Sequence, residues 1–551
     1  MAGRRESPLS TFPSHLQALL QPEAYPHPVA SVELIETHVS WVLLTGEFAY
    51  KIKRPVHYAF IDLRSPEHRA FLCREEVRLN RRFAPDLYLD VQPISLHEGV
   101  ANLTRRGQIV EQAVRMRQFS RTEELDRLLE TNHIEPAELE AFGRDLARIH
   151  ARLPAASRKL RRDWTDALRA RVLANAAACL EAADSVGSTP STAGLDSALS
   201  AAFDSAVPLL ARRLAAGRVR ECHGDLHARN IVRRAGRLCA FDCLEFDPAL
   251  RWIDVADEIA FLLADLDTRQ RPAHAQAFLA GYLAESGDYQ ACALLPLFKA
   301  HRALVRAKVA TLAAVSEDGR TGAHEFDAYV ASAQRALGPQ APVLVLMCGL
   351  SGSGKSYLAG RLAPRLGAVW LRSDVERKRL AGLGARSKSR SAIGSGLYSP
   401  AATAGVYRHL LQCAGDTLAG GCTTIIDATL ARRVDRIGFS RLAARLGVPS
   451  CIVHCRAPRE ILEARIRERQ RESDDPSEAD LSVLTWQEGR FEAPLPGEAA
   501  ALLDARSADA GALDPLLQAI GALRAGAQRR SPANRDFAPL RRRSGPDSPP
   551  G

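Results

Sequence analysis

The segment 343–356, VLVLMCGLSGSGKS, constrains the fold of this chain more than any other stretch. An uninterrupted apolar run precedes its glycines, which is typical of a strand buried on both faces of a parallel sheet. The loop that follows has the spacing Gly-x-x-x-x-Gly-Lys-Ser, and a helical run, YLAGRLAPRLG, comes directly after it. Strand, glycine loop and helix in this order predict a binding site for the phosphates of a nucleoside triphosphate.

The residue types in this loop match the chemistry of phosphate binding. Glycines let backbone N–H groups close around phosphate oxygens at the N-terminus of a helix, where the helix dipole favours an anion. We expect Lys355 to contact the β- and γ-phosphates and the Ser356 hydroxyl to hold Mg²⁺. The candidate nucleotide-binding residues are therefore Gly349, Leu350, Ser351, Gly352, Ser353, Gly354, Lys355 and Ser356.

Strand-like and helix-like segments alternate after this loop, which predicts an open parallel sheet. Ligands bind such sheets beyond the carboxyl ends of the strands, and Asp374 and Asp427 each follow the end of a predicted strand. Asp427 is a candidate magnesium ligand. Asp374 is a candidate to accept the proton of an acceptor hydroxyl, with Arg377 one helical turn later to bind the acceptor's phosphate or carboxylate.

Arg465 and Arg469 lie four residues apart, and therefore on one face of a predicted helix. The loop RESDDPSEADLSVL follows them. We interpret this region as a mobile lid whose arginines neutralise the transferring phosphate. The alternative is an Arg/Glu helix whose charges pair with one another in solvent.

A second set of chemical residues lies in the N-terminal half. His223-x-Asp225-x-x-x-x-Asn230 is followed by a strand, a glycine turn, another strand and Asp242. In phosphoryl transfer the first aspartate of such a set accepts the acceptor's proton, while the asparagine and the second aspartate hold Mg²⁺. The spacing places all three at one end of a hairpin. Asp225 is the candidate catalytic base, and Asn230 and Asp242 are candidate metal ligands.

Upstream, residues 31–56 have the alternation of two or three strands and end in AYKIKRPV. A charged helix follows, with Glu75 and Glu76 adjacent in it. A lysine on an interior strand with a glutamate on the next helix is the arrangement that protein kinases use around the phosphates of ATP. Lys51 or Lys53 is the candidate lysine.

The motifs HGDLHARN and FDCLEFD, with DLARIHARL before them and ALRWIDVADEIAFLLADL after them, resemble the aminoglycoside phosphotransferase and choline-kinase-like branch of the protein-kinase fold. The resemblance covers roughly residues 30–325. It implies Lys51 as the phosphate-binding lysine and Glu75 or Glu76 as its partner. It also implies the roles given above for the catalytic base and the metal ligands.

Two further points follow from this resemblance. It implies that Asp254 is the structural aspartate that ties down the catalytic loop. The chain also departs from the pattern of the wider kinase fold, because no Gly-x-Gly-x-x-Gly loop precedes Lys51. Nucleotide binding by this half is therefore less firmly implied than its fold.

The C-terminal pattern GLSGSGKS, RSDVER, IIDATLARRVDR, RIRER and DPSEAD resembles the small P-loop kinases of the gluconate-kinase, zeta-toxin and polynucleotide-kinase type, over roughly residues 342–500. Those families phosphorylate quite different acceptors, so the resemblance implies a reaction class and no substrate. Together the two halves resemble bacterial proteins that fuse an aminoglycoside phosphotransferase-like domain to a P-loop kinase-like ATP-binding domain of the AAA family.

Composition excludes several classes of protein. Of 551 residues, 46% are hydrophobic and 25% charged, which is ordinary for globular domains. Eleven cysteines without a C-x-x-C pair indicate neither a disulfide framework nor a zinc site. We find no apolar run of membrane-spanning length and no apolar core of a signal peptide at the N-terminus, so we expect a cytoplasmic protein with no membrane partner.

The formal net charge of +10 gives little support for a nucleic-acid partner. Residues 524–551 hold seven Arg and two Asp, hence +5, in a segment rich in Pro, Gly and Ser that we expect to be a disordered basic tail. The rest of the chain is only mildly basic.

We therefore predict a two-domain protein of mixed α/β and α+β class, with a two-lobed kinase-like fold followed by a parallel-sheet P-loop fold. The predicted domains are a flexible N-terminus (1–30), a phosphotransferase-like domain (31–335), a linker (336–342), a P-loop kinase-like domain (343–523) and the tail (524–551). Oligomeric state has no signal in the sequence.

The predicted function is transfer of the γ-phosphoryl group of Mg-ATP to hydroxyl groups of small molecules by both halves. Two alternatives remain open at this point. In the first, the N-terminal half is a non-catalytic binding or regulatory module beside a working P-loop ATPase. In the second, the chain is a 5′-hydroxyl kinase of nucleic acids, which the missing aromatic stacking cluster disfavours.

Overall fold

The computed structural model describes residues 12–58, 61–104, 107–185, 192, 194–314, 319–384, 387, 395–472, 478–505 and 513–530. The described residues form two compact units. The first unit comprises those of 1–178 and 203–286, and the second unit comprises those of 179–202 and 287–551.

The first unit begins with a six-stranded antiparallel sheet of order β1-β2-β3-β8-β6-β7. Its strands are β1 (Glu33–Glu36), β2 (Ser40–Leu44), β3 (Phe48–Lys53), β6 (Tyr88–His97), β7 (Val100–Asn102) and β8 (Gln108–Arg117); a small hairpin, β4 (His57–Tyr58) and β5 (Ile61–Asp62), lies beside them in sequence. Side chains alternate between faces, so Tyr50 and Ile52 of β3 enter one core while Ala49 enters another. Helix α1 (Pro66–Asn80) packs on the Ala49 face, beginning at Ser65, whose hydroxyl accepts the N–H of His68.

The expectation of a flexible N-terminus over 1–30 is wrong for the part that the structure describes. Residues Ser14–Leu20 and Pro22–Ala24 form 3₁₀-helices. Leu16 and Leu19 are buried with Trp41 and Tyr50 against the sheet face opposite α1. Apolar residues three or four apart supply an anchored face, which outweighs the prolines that suggested a loop.

The rest of the first unit is mainly helical. Its elements are α2 (Leu125–Glu130), α3 (Pro136–Arg152), α4 (Arg158–Arg161), α5 (Trp164–Ser185, through residue 178), α6 (Leu195–Ala215, from residue 203), α7 (Pro248–Arg251), α8 (Val255–Thr268) and α9 (Pro272–Ser286), with the antiparallel pairs β9 (Val219–Glu221)/β12 (Trp252–Asp254) and β10 (Ile231–Arg234)/β11 (Arg237–Ala240). A sheet with one helix, followed by a helical part that carries a hairpin, is the predicted kinase-like fold. That prediction is confirmed.

The second unit contains a five-stranded, wholly parallel sheet of order β14-β15-β13-β16-β17. Its elements are β13 (Leu344–Cys348), α12 (Lys355–Leu366), β14 (Val369–Arg372), α13 (Ser373–Leu380), α14 (Pro400–Ala419), β15 (Thr424–Asp427), α15 (Arg433–Arg445), β16 (Ser450–Cys455), α16 (Arg459–Glu472), α17 (Leu481–Glu488), β17 (Ala501–Ala505) and α18 (Leu513–Arg530). Strand β13 is central and entirely buried, as its continuous apolar run predicts. The predicted P-loop fold is confirmed.

Two helices precede this sheet in the second unit, α10 (Leu295–Ala314) and α11 (Gly319–Leu337), and they pack on one another. The compact units thus divide in sequence near residue 287, before the predicted linker at 336–342. That linker stays a prediction about domain organisation.

At the other end of the second unit, residues 524–530 continue α18 and are not disordered. The remainder of the predicted tail lies outside the described residues. Within the described part of the chain, no helix is both long enough and apolar enough to cross a membrane.

Candidate active sites

The two lysines of β3 point to the same face because they are two residues apart. Both reach Glu76 of α1: Lys51 Nζ lies 2.8 Å from Oε1 and Lys53 Nζ lies 2.7 Å from Oε2. Glu76 is fully buried. Burial by itself raises the pKa of a carboxyl, but the two lysines outweigh burial and hold the pKa of Glu76 at about 2. Glu76 is therefore the shared anion between two cations.

Glu75, the other candidate partner, does not face the lysines. Its carboxylate pairs with Arg78, and Arg251 lies 3.6 Å from it. Adjacent helical residues point about 100° apart, so only one of the two glutamates can reach β3. The structure places Glu76 there and assigns Glu75 to a different ion-pair cluster.

The two lysines differ in their second partners. Lys51 Nζ lies 2.5 Å from Asp242 Oδ1, whereas Lys53 Nζ lies 2.5 Å from Glu245 Oε1. Lys53 is almost completely buried, while Lys51 and Asp242 retain exposure. Lys51 is therefore the lysine beside the candidate metal ligand, and Lys53 lies behind it. Glu245 escaped the sequence analysis, although it follows Asp242 by only three residues.

The catalytic-loop residues Asp225 and Asn230 are in direct contact. Asn230 Nδ2 donates to the backbone oxygen of Asp225 at 3.0 Å and to its carboxylate Oδ2 at 2.9 Å. With its N–H groups directed at Asp225, the Asn230 amide presents its oxygen for a cation. Asp242 is partly exposed and contacts Lys51, so carboxylate and amide oxygens suited to Mg²⁺ occur in this set.

The loop that carries Asp225 is held by two carboxylates of α8. Glu258 accepts the backbone N–H of His223 at 2.6 Å and that of Gly224 at 3.0 Å. Asp265 accepts the N–H of Ala228 at 2.8 Å. These two acids are seven residues apart, two helical turns on one face, and that spacing is the signal by which sequence reasoning could have found them.

Asp254 does not hold this loop, contrary to the role implied by the resemblance. Its carboxylate forms a paired contact with Arg213, at 2.9 and 2.7 Å, and accepts the N–H of Ala256 at the start of α8. Both charged side chains are fully buried. Asp254 therefore anchors the helix that carries Glu258 and Asp265.

His223 links the loop to the strand before Asp242. Its Nε2 lies 2.8 Å from the backbone oxygen of Phe241. Burial lowers the pKa of His223 to about 4, so the imidazole is neutral at neutral pH. The histidine thus acts as a hydrogen-bonding spacer between the two halves of the candidate site.

In the second unit, the glycines of the phosphate-binding loop are required by its geometry. Gly349, Gly352 and Gly354 have φ angles of 147°, 81° and 90°. A Cβ at Gly349 would lie 2.3 Å from the Cys455 oxygen, and one at Gly352 would lie 2.7 Å from the Leu462 oxygen. The loop can follow this path only without side chains at these positions.

Lys355, Ser356 and Asp427 come together at the end of β13. Lys355 Nζ donates to the backbone oxygen of Leu350 at 2.7 Å, and burial lowers the pKa of this lysine. Asp427 ends the neighbouring strand β15, and its side chain hydrogen-bonds to Ser356. Burial raises the pKa of Asp427. A hydroxyl and a carboxylate oxygen are hard ligands, so this donor set fits Mg²⁺.

Asp374 and Arg377 both lie in α13. Arg377 Nη1 donates to the backbone oxygen of Leu397 at 2.7 Å, and its guanidinium lies 4.9 Å from the ring centre of Tyr398. Asp374, in the first turn of the helix, is partly exposed. In this structure Arg377 is held by the 397–403 segment.

The lid arginines lie close to the loop or to the lid itself. Arg465 Nη1 is 3.4 Å from the backbone oxygen of Gly352, and Arg469 Nη2 donates to that of Ala479 at 2.8 Å. Residues 473–477 of the predicted lid lie outside the described residues. Gln487 of α17, which sequence reasoning missed, accepts the N–H of Ser351 at 2.9 Å and so contacts the phosphate-binding loop directly.

The low pKa of Glu76 predicts an acid sensitivity of folding. A carboxyl whose folded pKa is depressed contributes stability above its ordinary pKa of about 4.5, and that stability is lost as pH falls towards about 2. We expect the urea midpoint of wild type to fall more steeply between these values than that of Glu76→Gln. Glu23→Gln, at an exposed position, serves as the control. Parallel pH profiles of wild type and Glu76→Gln would contradict the assignment.

Comparisons with known proteins agree with this two-part architecture. Residues 60–295 match the phosphotransferase enzyme family and residues 344–494 match an AAA domain. Uncharacterised proteins of Mycobacterium tuberculosis and Mycobacterium bovis are 31% identical to this chain over 444 residues, which is 80% of this chain and 87% of each relative.

Among solved structures, a choline/ethanolamine kinase family protein from Mesorhizobium loti is 13% identical, covers 57% of this chain and 92% of its own, and has a TM-score of 0.33. A gluconokinase from Sinorhizobium meliloti is 19% identical, covers 35% of this chain and 97% of its own, and has a TM-score of 0.24. The chain belongs to the family of the mycobacterial proteins, and it joins a kinase-like phosphotransferase domain to a P-loop kinase-like AAA domain.

Proposed function

We propose that the protein is a phosphotransferase with two active sites, each of which transfers the γ-phosphoryl group of Mg-ATP to a hydroxyl group of a small molecule. The observation that carries the proposal for the first unit is the contact between Lys51 and Asp242, 191 residues apart, beside the Asp225–Asn230 pair. The Lys355–Ser356–Asp427 set carries it for the second unit. The two family matches support the same reaction class.

In the first unit, Asp225 would accept the proton of the acceptor hydroxyl as its oxygen forms a bond to the γ-phosphorus and the bond to the ADP oxygen breaks. Lys51, oriented by Glu76, would bind the α- and β-phosphates. Asn230 and Asp242 would hold Mg²⁺, which supplies charge neutralisation at the phosphates. The remaining contribution of the chain is positioning, which Glu258 and Asp265 secure through the loop backbone.

In the second unit, backbone N–H groups of residues 349–356 and Lys355 would bind the phosphates, and Ser356 with Asp427 would hold the cation. Asp374 would accept the proton of the acceptor, and Arg377 would bind an anionic group on it. Arg465 and Arg469 would neutralise the charge of the transferring group. Arg377 must leave its contact with Leu397 for this role.

A second candidate function deserves a test because of one feature of the first unit. Strands β1 and β2 are joined by residues 37–39, which contain no glycine, so a glycine-rich loop over the phosphates is missing there. In this alternative, the first unit binds nucleotide or another ligand without turnover, and ATP used by the second unit drives regulation.

The deciding experiment follows labelled γ-phosphate from Mg-ATP into a pool of bacterial metabolites. Wild type, Lys355→Ala and Asp225→Ala with Asp242→Ala are compared. We expect each variant to lose a different set of labelled products, because each has lost one site. Loss of all products in Lys355→Ala alone would support the regulatory alternative, and no labelled product from wild type would contradict both functions.

A further inference from the structure

Trp370 occupies a position in β14 that brings it to the candidate metal site of the second unit. In the parallel pair β14–β15, Arg372 lies opposite Asp427, and Trp370 lies opposite Ile425. Alternate residues of a strand share a face, so Trp370, Arg372 and Asp427 are on the same face of the sheet. This face is the one that α12 covers, at whose N-terminus Lys355 and Ser356 lie.

The indole of Trp370 contacts Asp427 directly. Its Nε1 donates to Asp427 Oδ2 at 3.2 Å. The guanidinium of Arg372 lies 4.7 Å from the centre of the indole ring. An indole N–H only donates and cannot itself bind a cation, so it restrains the carboxylate without competing for a metal.

A glycine in the interior of α12 makes room for this indole. A Cβ at Gly360 would lie 3.3 Å from Cζ–Cη ring atoms of Trp370, specifically Cη2, which is tighter than ordinary packing. Glycine is unfavourable inside a helix, so its presence calls for a packing reason. The close approach of the Trp370 ring supplies that reason.

We propose that Trp370 is a positioning residue that holds one carboxylate oxygen of Asp427, so that this side chain keeps the orientation in which it meets Ser356 and the magnesium ion of a bound nucleotide. The inference rests on the function proposed for the second unit. Carboxylates that bind metals are usually oriented by a hydrogen bond from a neighbouring group, and loss of that bond lowers metal affinity about 10- to 100-fold. Trp370 supplies such a bond from the adjacent strand.

The first test is calorimetric and needs no turnover. Magnesium is titrated into the full-length protein with a non-hydrolysable ATP analogue bound. We expect the dissociation constant for Mg²⁺ to rise about ten-fold in Trp370→Phe, which keeps an aromatic ring and removes the donor. Trp486→Phe, at an exposed tryptophan of the same unit, should equal wild type. Equal magnesium affinity in Trp370→Phe and wild type would overturn the inference.

The second test uses the metal-free protein and does not depend on the folding of Trp370→Phe. The chain has five tryptophans, and the indole N–H resonance of Trp370 is the one absent from ¹⁵N spectra of Trp370→Phe or, if that variant does not fold, of Trp370→Tyr. We expect this resonance to shift in Asp427→Asn, since the acceptor loses its charge. An unchanged resonance would overturn the inference. A wild type that binds neither the analogue nor magnesium would instead contradict the proposed function.

Discussion

Asp225→Asn should lower phosphoryl transfer by the first unit about 1,000-fold, because general-base catalysis typically contributes 10²- to 10⁴-fold. The substitution preserves the shape of the side chain and removes its ability to accept a proton. Asn230 and His227 lie beside the carboxylate, at 2.9 and 3.3 Å, so the position of residue 225 should be retained. The measurement is the rate of labelled product formation in a Lys355→Ala background, where the second unit contributes nothing.

A matched control separates this effect from a general loss of charge. Asp86→Asn alters an exposed aspartate of the same unit and should leave the rate unchanged. Nucleotide affinity should also be similar in Asp225→Asn and its parent. A wild-type rate in Asp225→Asn would exclude this residue as the base, and an inactive parent would favour the binding-module alternative.

Asp254→Ala should destabilise the first unit by about 3–5 kcal/mol, the range measured when one partner of a buried ion pair is removed. Arg213 and Asp254 are fully buried, so the substitution leaves a guanidinium without its anion in a site closed to water. It also removes the acceptor for the N–H of Ala256, which caps α8. Urea denaturation at neutral pH measures the loss.

The double variant Arg213→Met with Asp254→Leu tests the physical cause. Removing both charges leaves no unpaired ion, so much of the lost free energy of unfolding should return. A loss below about 1 kcal/mol in Asp254→Ala would show that water reaches Arg213, as it does for exposed pairs. The activity of the double variant then measures how far α8 positions the catalytic loop.

Local patterns were sufficient for most of the fold. The apolar strand, glycine loop and helix at 343–366 are consecutive in sequence, and the glycines fulfil requirements of the backbone path itself. The catalytic-loop motif was similarly visible, since Asp225 and Asn230 are only five residues apart and contact one another. The N-terminal 3₁₀-helices were missed because their stability comes from the sheet they pack against.

By itself, the sequence determined the two fold types, the phosphate-binding loop and the identity of the residues around each candidate site, because these depend on short spacings and on strand and helix periods. Only the tertiary structure decided that Glu76 faces the lysines and Glu75 does not, that Lys51 meets Asp242 while Lys53 meets Glu245, and that Trp370 contacts Asp427. These contacts join residues from 23 to 192 positions apart. Their partners are selected by the direction in which each side chain leaves its strand or helix and by the packing of one element on another, which no local spacing contains.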